Sequence, residues 1–188
     1  MPVEITETFK AADRADWRAW LAKHHATHSE IWLVSDDRDD VPTVRYTDAV
    51  YEALCFGWVD SIGKRINDVE KVQRFSPRRK TSNWTELNKQ RARHLIAQGL
   101  MTDAGQATLP DLDTPFEAPA DILDAIKQNA DAWREFQSLP PLYVRVRLGY
   151  IHETKRGSDD FDKRLSNFIG KTAAGRLFGN WNDGGRLS

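Results

Sequence analysis

The chain has 188 residues, of which 40% are apolar and 29% are charged, and its net charge at pH 7 is −1. This balance excludes a disordered chain, which lacks the apolar residues needed to build a core. No window approaches the roughly 20 apolar residues of a membrane-spanning helix, so we expect no membrane span. The single cysteine, Cys55, fits a reducing compartment, and the N-terminus has no secretory pattern. We therefore expect a cytoplasmic protein.

Charge is unevenly distributed along the chain. Residues 1–59 carry a net charge of −5, residues 60–93 carry +6 and residues 94–188 carry −2. A concentrated basic segment is typical of a surface that attracts anions. The alternative is a solvated face that the acidic N-terminal third neutralises.

Residues 1–101 are expected to form an α+β lobe, with a small antiparallel sheet packed by helices. The pattern around Trp17, Trp20 and Leu21 predicts a helix over about 14–25, and the apolar run at 31–35 predicts a strand. A second helix is expected to begin near Thr47. It should stop at Gly57, because glycine takes a positive φ without strain.

The next part of this lobe is expected to be a basic hairpin. Two strand-like runs, 59–66 and 70–76, flank a short turn, and the second alternates in the way typical of a strand. Pro77 ends it, because proline cannot donate to a strand ladder. Ser82 or Asn83 can then cap a helix that runs to Gln98.

The rest of the chain is expected to be helical. Residues 102–117 are interpreted as a linker, residues 118–172 as a helical C-terminal module and residues 173–188 as a loosely held tail. Segment 143–151 fits two structures, because it alternates like a strand and also places apolar residues on one helical face.

The residues that can carry chemistry concentrate between positions 58 and 88. Arginine forks grip phosphates or carboxylates at two points, and a neighbouring aromatic ring can stack on a ligand. We expect Arg74, Arg78 and Arg79 to form one continuous positive surface with Trp84 at its edge. The alternative is that the tryptophans are core residues covered by arginine stems. The candidate binding residues are Trp58, Asp60, Arg65, Gln73, Arg74, Arg78, Arg79, Ser82, Trp84 and Asn88.

The same segment resembles a known family. Residues 52–60 (EALCFGWVD), 73–78 (QRFSPR) and 82–84 (SNW) with Asn88 are similar to the YdeI/OmpD-associated family, also called bacteriocin-protection proteins. Further along, 138–141 (SLPP) with Tyr143 and the Lys155-Arg156 pair are similar to its helical C-terminal module, so the likeness extends over roughly residues 15–172. Gly149 and Gly157-Ser158 depart from the family pattern.

The resemblance implies a helix over 142–155. It also implies protection against bacteriocins or envelope stress, and its name points to association with a porin. It brings neither a cofactor nor a reaction, and we predict no cofactor, no metal and no catalytic residue.

Three hypotheses about function follow. The first is a non-enzymatic protein that holds an anionic small molecule, a nucleic acid or a protein partner through the basic hairpin and the following loop. The second is an enzyme acting on an anionic small molecule with Asp60, Arg65 and Arg74, in a pocket walled by Trp58 and Trp84. The third is a protein-interaction scaffold. A deep concave site with Asp60 favours the enzyme, a flat basic face favours nucleic acid, and an exposed apolar patch favours the scaffold.

Overall fold

The computed structural model describes residues 4–187. Within that range the protein has one four-stranded sheet and eight helices, and the α+β class is confirmed. The strands are β1 (Thr8–Phe9), β2 (Ile31–Asp36), β3 (Trp58–Arg65) and β4 (Glu70–Pro77). The helices are α1 (Arg14–His24), α2 (Tyr46–Cys55), α3 (Glu86–Ala97), α4 (Asp103–Gln106), α5 (Ala120–Lys127), α6 (Ala130–Phe136), α7 (Pro141–His152) and α8 (Asp159–Ala173).

The described residues fall into two compact units. The first unit comprises residues 4–83 and 92–110, and the second comprises residues 84–91 and 111–187. The first contains the whole sheet, whereas the second is helical. None of the helices in the described part of the chain is both long and apolar enough to cross a membrane.

The sheet in the first unit is mixed, in the order β1-β2-β4-β3. The predicted hairpin is present, because β3 pairs antiparallel with β4, and β4 pairs antiparallel with β2. The expectation of a purely antiparallel sheet is wrong in one detail, since the short strand β1 runs parallel to β2. Two residues are too few to show a two-residue period, so no sequence pattern indicates β1.

The core of the first unit lies between the sheet and α1 and α2. The ring of Trp17 packs 5.4 Å from that of Phe75 on β4, and its indole nitrogen donates to the carbonyl of Ala49 at 3.0 Å. The α2 helix ends at Cys55, and Gly57, the predicted stop, follows its C-cap Phe56 with a φ of +72°. A Cβ at this position would lie 2.7 Å from the carbonyl oxygen of Ala104, so the close approach also requires glycine.

The second unit is built around an apolar cluster from α5 to α8. Its centre includes Tyr143, Phe168 and Ile122, each fully buried. Segment 143–151, whose pattern fitted a strand or a helix, lies in α7, as the family resemblance implied. The α8 helix begins at the predicted cap, where the Ser158 hydroxyl accepts from the backbone N–H of Phe161 at 3.2 Å.

Residues 174–187, which belong to the segment expected to be a loosely held tail, contain two buried residues. Leu187 is buried, and buried Asp183 forms two hydrogen bonds of 2.8 Å with the guanidinium of Arg91. Ser188, the last residue of that segment, lies outside the described residues.

Candidate functional site

The two strands of the basic hairpin present different side chains on their two faces. Asp60 pairs with Phe75, and Arg65 pairs with Lys71, so these four residues share the face that packs against α1. Arg74 pairs with Trp32 across β4 and β2 and therefore lies on the opposite face. The hairpin thus separates basic residues that adjoin in sequence.

A cleft of about 360 Å³ lies along the hairpin in the first unit. We call it the hairpin cleft. Its shape depends on Gly63, which follows a shift in the β3–β4 register and faces Gln73. A Cβ at Gly63 would lie 3.0 Å from the Gln73 side-chain oxygen, so a larger residue would fill this part of the cleft. The cleft is lined by Ser35, Tyr46, Gly63, Lys64, Arg65, Lys71, Val72 and Gln73.

Two basic side chains make the hairpin cleft positive. Lys71 Nζ lies 2.6 Å from Asp37 Oδ1, and a guanidinium nitrogen of Arg65 lies 2.8 Å from Asp37 Oδ2. The hydrogen bond from Lys71, assisted by Arg65, holds the pKa of Asp37 below its usual range. Lys64 does not add to this charge, because its ammonium group lies on the opposite face of the sheet, 5.3 Å from the centre of the Trp32 ring. One carboxylate therefore neutralises only part of the charge that lines the cleft.

Tyr46 connects the hairpin cleft to Asp60. Tyr46 is the first residue of α2 and is more than half exposed. Its hydroxyl donates to Asp60 Oδ2 at 2.6 Å. This bond fixes the Tyr46 hydroxyl against the sheet, where its oxygen can accept a hydrogen bond from a ligand. The predicted site residue Asp60 thus acts on the cleft through Tyr46.

Arg74 and Arg78 do not form the continuous positive surface that the sequence predicted. Arg74 forms an ion pair with Glu30, to which its Nε donates at 2.8 Å. Arg78 is only 8% exposed, and its guanidinium donates to the carbonyl of Asn83 at 2.7 Å. Burial, opposed by the charge of Asp60, lowers the pKa of Arg78 to about 10. One arginine is neutralised and the other is inside the protein.

The loop that follows β4 holds two more predicted residues. The backbone N–H of Arg79 donates to the Ser82 hydroxyl at 2.9 Å, a local turn contact. The Arg79 side chain is exposed, whereas Ser82 is half-buried. Neither residue lines the hairpin cleft.

The remaining predicted residues lie in the core or in the second unit. Trp58 is 1% exposed and donates its indole N–H to the carbonyl of His25 at 3.2 Å, which is the core role weighed as the alternative. Trp84 and Asn88 belong to the second unit, where the Asn88 side-chain oxygen accepts from Arg91 at 2.8 Å.

The residues proposed for an enzyme do not converge on one pocket. Arg74 lies on the face of the sheet opposite to Asp60 and Arg65, and its guanidinium forms an ion pair with Glu30. Among residues 4–187 no group of three or more His, Cys, Asp or Glu side chains is arranged to hold a metal ion.

Sequence reasoning therefore identified Arg65 and Gln73 in the hairpin cleft and missed Tyr46 and Lys71 as site residues. Strand alternation was a usable signal for Lys71, because residues 71 and 73 must face the same side. Tyr46 carried no such signal, since its approach to Asp60 depends on how α2 packs on the sheet.

Two known families match the chain, and the boundary between the two matches lies close to residue 110, where the first structural unit ends. Residues 9–108 match a family described as a domain of unknown function, DUF8412. Residues 115–175 match the family described as bacteriocin-protection, YdeI or OmpD-associated. The predicted resemblance is confirmed by the second match, whereas the quoted motifs at 52–60 and 73–78 lie within the first. No curated protein and no solved structure matches the chain significantly.

Proposed function

We propose that this chain, which belongs to the DUF8412 family and carries a YdeI/OmpD-associated module at residues 115–175, is a non-enzymatic protection-type protein that binds a small anion in its hairpin cleft. The observation that carries the proposal is the convergence of Arg65 and Lys71 with the Gln73 amide on one concave surface of about 360 Å³. Ligand sites typically have volumes of about 300–1,000 Å³, with a few convergent polar groups.

The polar groups of the hairpin cleft suit an anionic ligand. The Gln73 amide can donate, and Arg65 and Lys71 provide charge-assisted donors to a phosphate or carboxylate. Their bonds to Asp37 hold both side chains in place before a ligand arrives, which lowers the entropic cost of binding. The ligand must then compete with Asp37, so a dianion or trianion is favoured over a monoanion.

The alternatives are less well supported. A nucleic acid needs a continuous cationic surface, but Glu30 neutralises Arg74 and burial removes Arg78 from the surface. The enzyme hypothesis lacks a shared pocket for Asp60, Arg65 and Arg74. We infer that the protein acts in the cytoplasm, a reducing compartment compatible with the free, buried Cys55, and that it takes part there in stress protection.

The test is a comparison of anion binding by wild type and variants. Pyrophosphate, citrate and acetate are titrated against wild type, Arg65→Ala, Lys71→Ala and the control Lys23→Ala by isothermal titration calorimetry at constant ionic strength. Lys23 is an exposed residue of α1 outside the cleft. Removing a charge-assisted contact costs about 1.5–3 kcal/mol, which corresponds to an increase in Kd of about tenfold or more.

We expect pyrophosphate or citrate to bind wild type and the Lys23→Ala control equally. Arg65→Ala and Lys71→Ala should both weaken binding, and acetate should bind least. If the multivalent anions fail to bind wild type, or bind all four proteins alike, the hairpin cleft is not an anion site.

A further inference from the structure

A second cleft, of about 290 Å³, lies entirely within the second unit. We call it the Arg147 cleft. It combines the charged residues Arg147 and Glu153 with the apolar side chains of Leu87 and Val146. Its volume is at the lower end of the range for ligand sites, which suits a molecule of amino-acid or dipeptide size.

The guanidinium of Arg147 is held in a fixed position. It packs over the Phe178 ring, 4.9 Å from its centre, and donates to the carbonyl of Asn180 at 2.9 Å. Gly179, with a φ of +66°, makes this approach possible. A Cβ there would lie within 3 Å of the guanidinium, so any other residue would displace it.

Arg147 differs from the other partly buried arginines of its unit in lacking a carboxylate partner within residues 4–187. Burial lowers the pKa of Arg147, and electrostatic interactions with Tyr143 and Tyr150 oppose that shift. A desolvated cation without a counter-ion attracts an external anion strongly, because the surrounding medium screens it less than water does. The paired arginines are Arg91 with Asp183, Arg145 with Glu86, and Arg164 with Asp160.

Glu153 supplies the opposite charge in the same cleft. It caps the C-terminus of α7, its side chain is exposed, and it forms no ion pair with any described residue. Helix geometry separates the backbone of Glu153 from that of Arg147 by about 9 Å along the axis, and no ion pair joins the two side chains. The negative end of the helix dipole adds to its attraction for a cation. Glu86, which also lines the cleft, is neutralised by Lys89 at 2.6 Å.

We propose that the Arg147 cleft binds a small zwitterion, an amino acid or short peptide whose carboxylate contacts Arg147 and whose ammonium group faces Glu153. Leu87 and Val146 then contact its apolar side chain. A phosphate dianion is disfavoured, because Glu153 would repel it. The site is independent of the hairpin cleft, since no residue lines both.

The probe is glycyl-L-leucine, compared with two blocked forms of the same peptide. N-acetylglycyl-L-leucine lacks the ammonium group, and glycyl-L-leucine amide lacks the carboxylate. Each is titrated calorimetrically against wild type, Glu153→Gln, Arg147→Gln and the control Glu117→Gln, an exposed residue of the same unit that lies outside the cleft. We expect wild type and Glu117→Gln to bind the free peptide at least tenfold more tightly than either blocked form.

The variants should remove these preferences separately. Glu153→Gln should bind the free and acetylated peptides alike while still preferring a free carboxylate, and Arg147→Gln should lose the preference for the carboxylate. Glu153 is exposed, so its variant keeps the test decisive even if Arg147→Gln fails to fold. The proposal is refuted if wild type binds all three peptides equally or none of them, or if Glu153→Gln keeps the preference for the free amine. Lys71→Ala should bind the free peptide like wild type, which separates this test from that of the hairpin cleft.

Discussion

The ion pair between Arg91 and Asp183 offers a test of whether the C-terminal segment is part of the folded protein. Both residues are less than 8% exposed, and the pair is bidentate, with two contacts of 2.8 Å. The amide of Asn180 donates a third bond to Asp183 at 2.7 Å. Asp183 has a φ of +50°, a conformation that asparagine also tolerates. Asp183→Asn therefore removes the charge while it preserves the size and the backbone.

The expected cost of Asp183→Asn is about 3–5 kcal/mol, because the substitution removes the carboxylate that forms a buried, bidentate ion pair with Arg91. Folded domains are stable by only about 5–15 kcal/mol, so the effect is a large fraction of the total. The assay is urea unfolding followed by tryptophan fluorescence, to which Trp181 contributes from the same segment. A suitable control is Asp131→Asn, which breaks an exposed pair with Arg134 and should cost less than about 1 kcal/mol.

A loss of less than about 1 kcal/mol for Asp183→Asn would refute this reasoning. The C-terminal segment would then be the loosely held tail that its Gly, Asn and Asp content predicts. A loss in the expected range would show that Arg91 anchors it.

Two further predictions concern the basic hairpin and its loop. Arg78→Ala should lower the free energy of unfolding by about 2–3 kcal/mol, because it removes a buried, hydrogen-bonded side chain. The control Arg79→Ala should change the free energy of unfolding by less than about 0.5 kcal/mol. Equal urea midpoints for the two variants would contradict the burial of Arg78. Hydrogen bonds from Thr6 and then Arg74 hold the pKa of Glu30 below its usual 4.5. Such a group stabilises the fold above its unfolded pKa and loses this effect as the pH falls through its folded pKa, so the stability advantage of wild type over Glu30→Gln should be constant near neutral pH and shrink below about pH 4.5. An advantage that grows on acidification would have the wrong sign.

The elements that the sequence predicted well are those with a strong local signal. Gly57 ends α2 because of its own backbone conformation, and Ser158 caps α8 through its own hydroxyl. The hairpin followed from strand alternation and a short turn. In each case the interactions that decide the structure lie within a few residues of one another, so a local pattern contains the information.

The segment in α7 shows where local pattern fails. Alternating valine and arginine at 144–147 satisfies both a strand and a helix. Packing of Tyr143 and Leu148 into the apolar cluster decides for the helix, and Pro141 in its first turn is compatible with that start. The short strand β1 could not be predicted because it has no local pattern of its own and depends on its pairing with β2.

The candidate site was only partly predictable, because charge counts do not show which residues pair. The basic segment at 60–93 suggested a positive surface, but its arginines take partners from the acidic N-terminal third. Glu30 binds Arg74 across 44 positions, and Asp37 binds Arg65 across 28.

The same pairing determines how a ligand can enter the hairpin cleft. Asp37 occupies one side of both Lys71 and Arg65, and both side chains remain more than half exposed. An incoming anion therefore adds to this cluster or displaces Asp37. In either case its affinity depends on how strongly the anion and the Asp37 carboxylate compete for Lys71 and Arg65. Removing Asp37 would raise the positive charge of the cleft but would also release the two side chains that it orients. Asp37 thus lowers the net charge of the site and at the same time orients its two donors, Lys71 and Arg65.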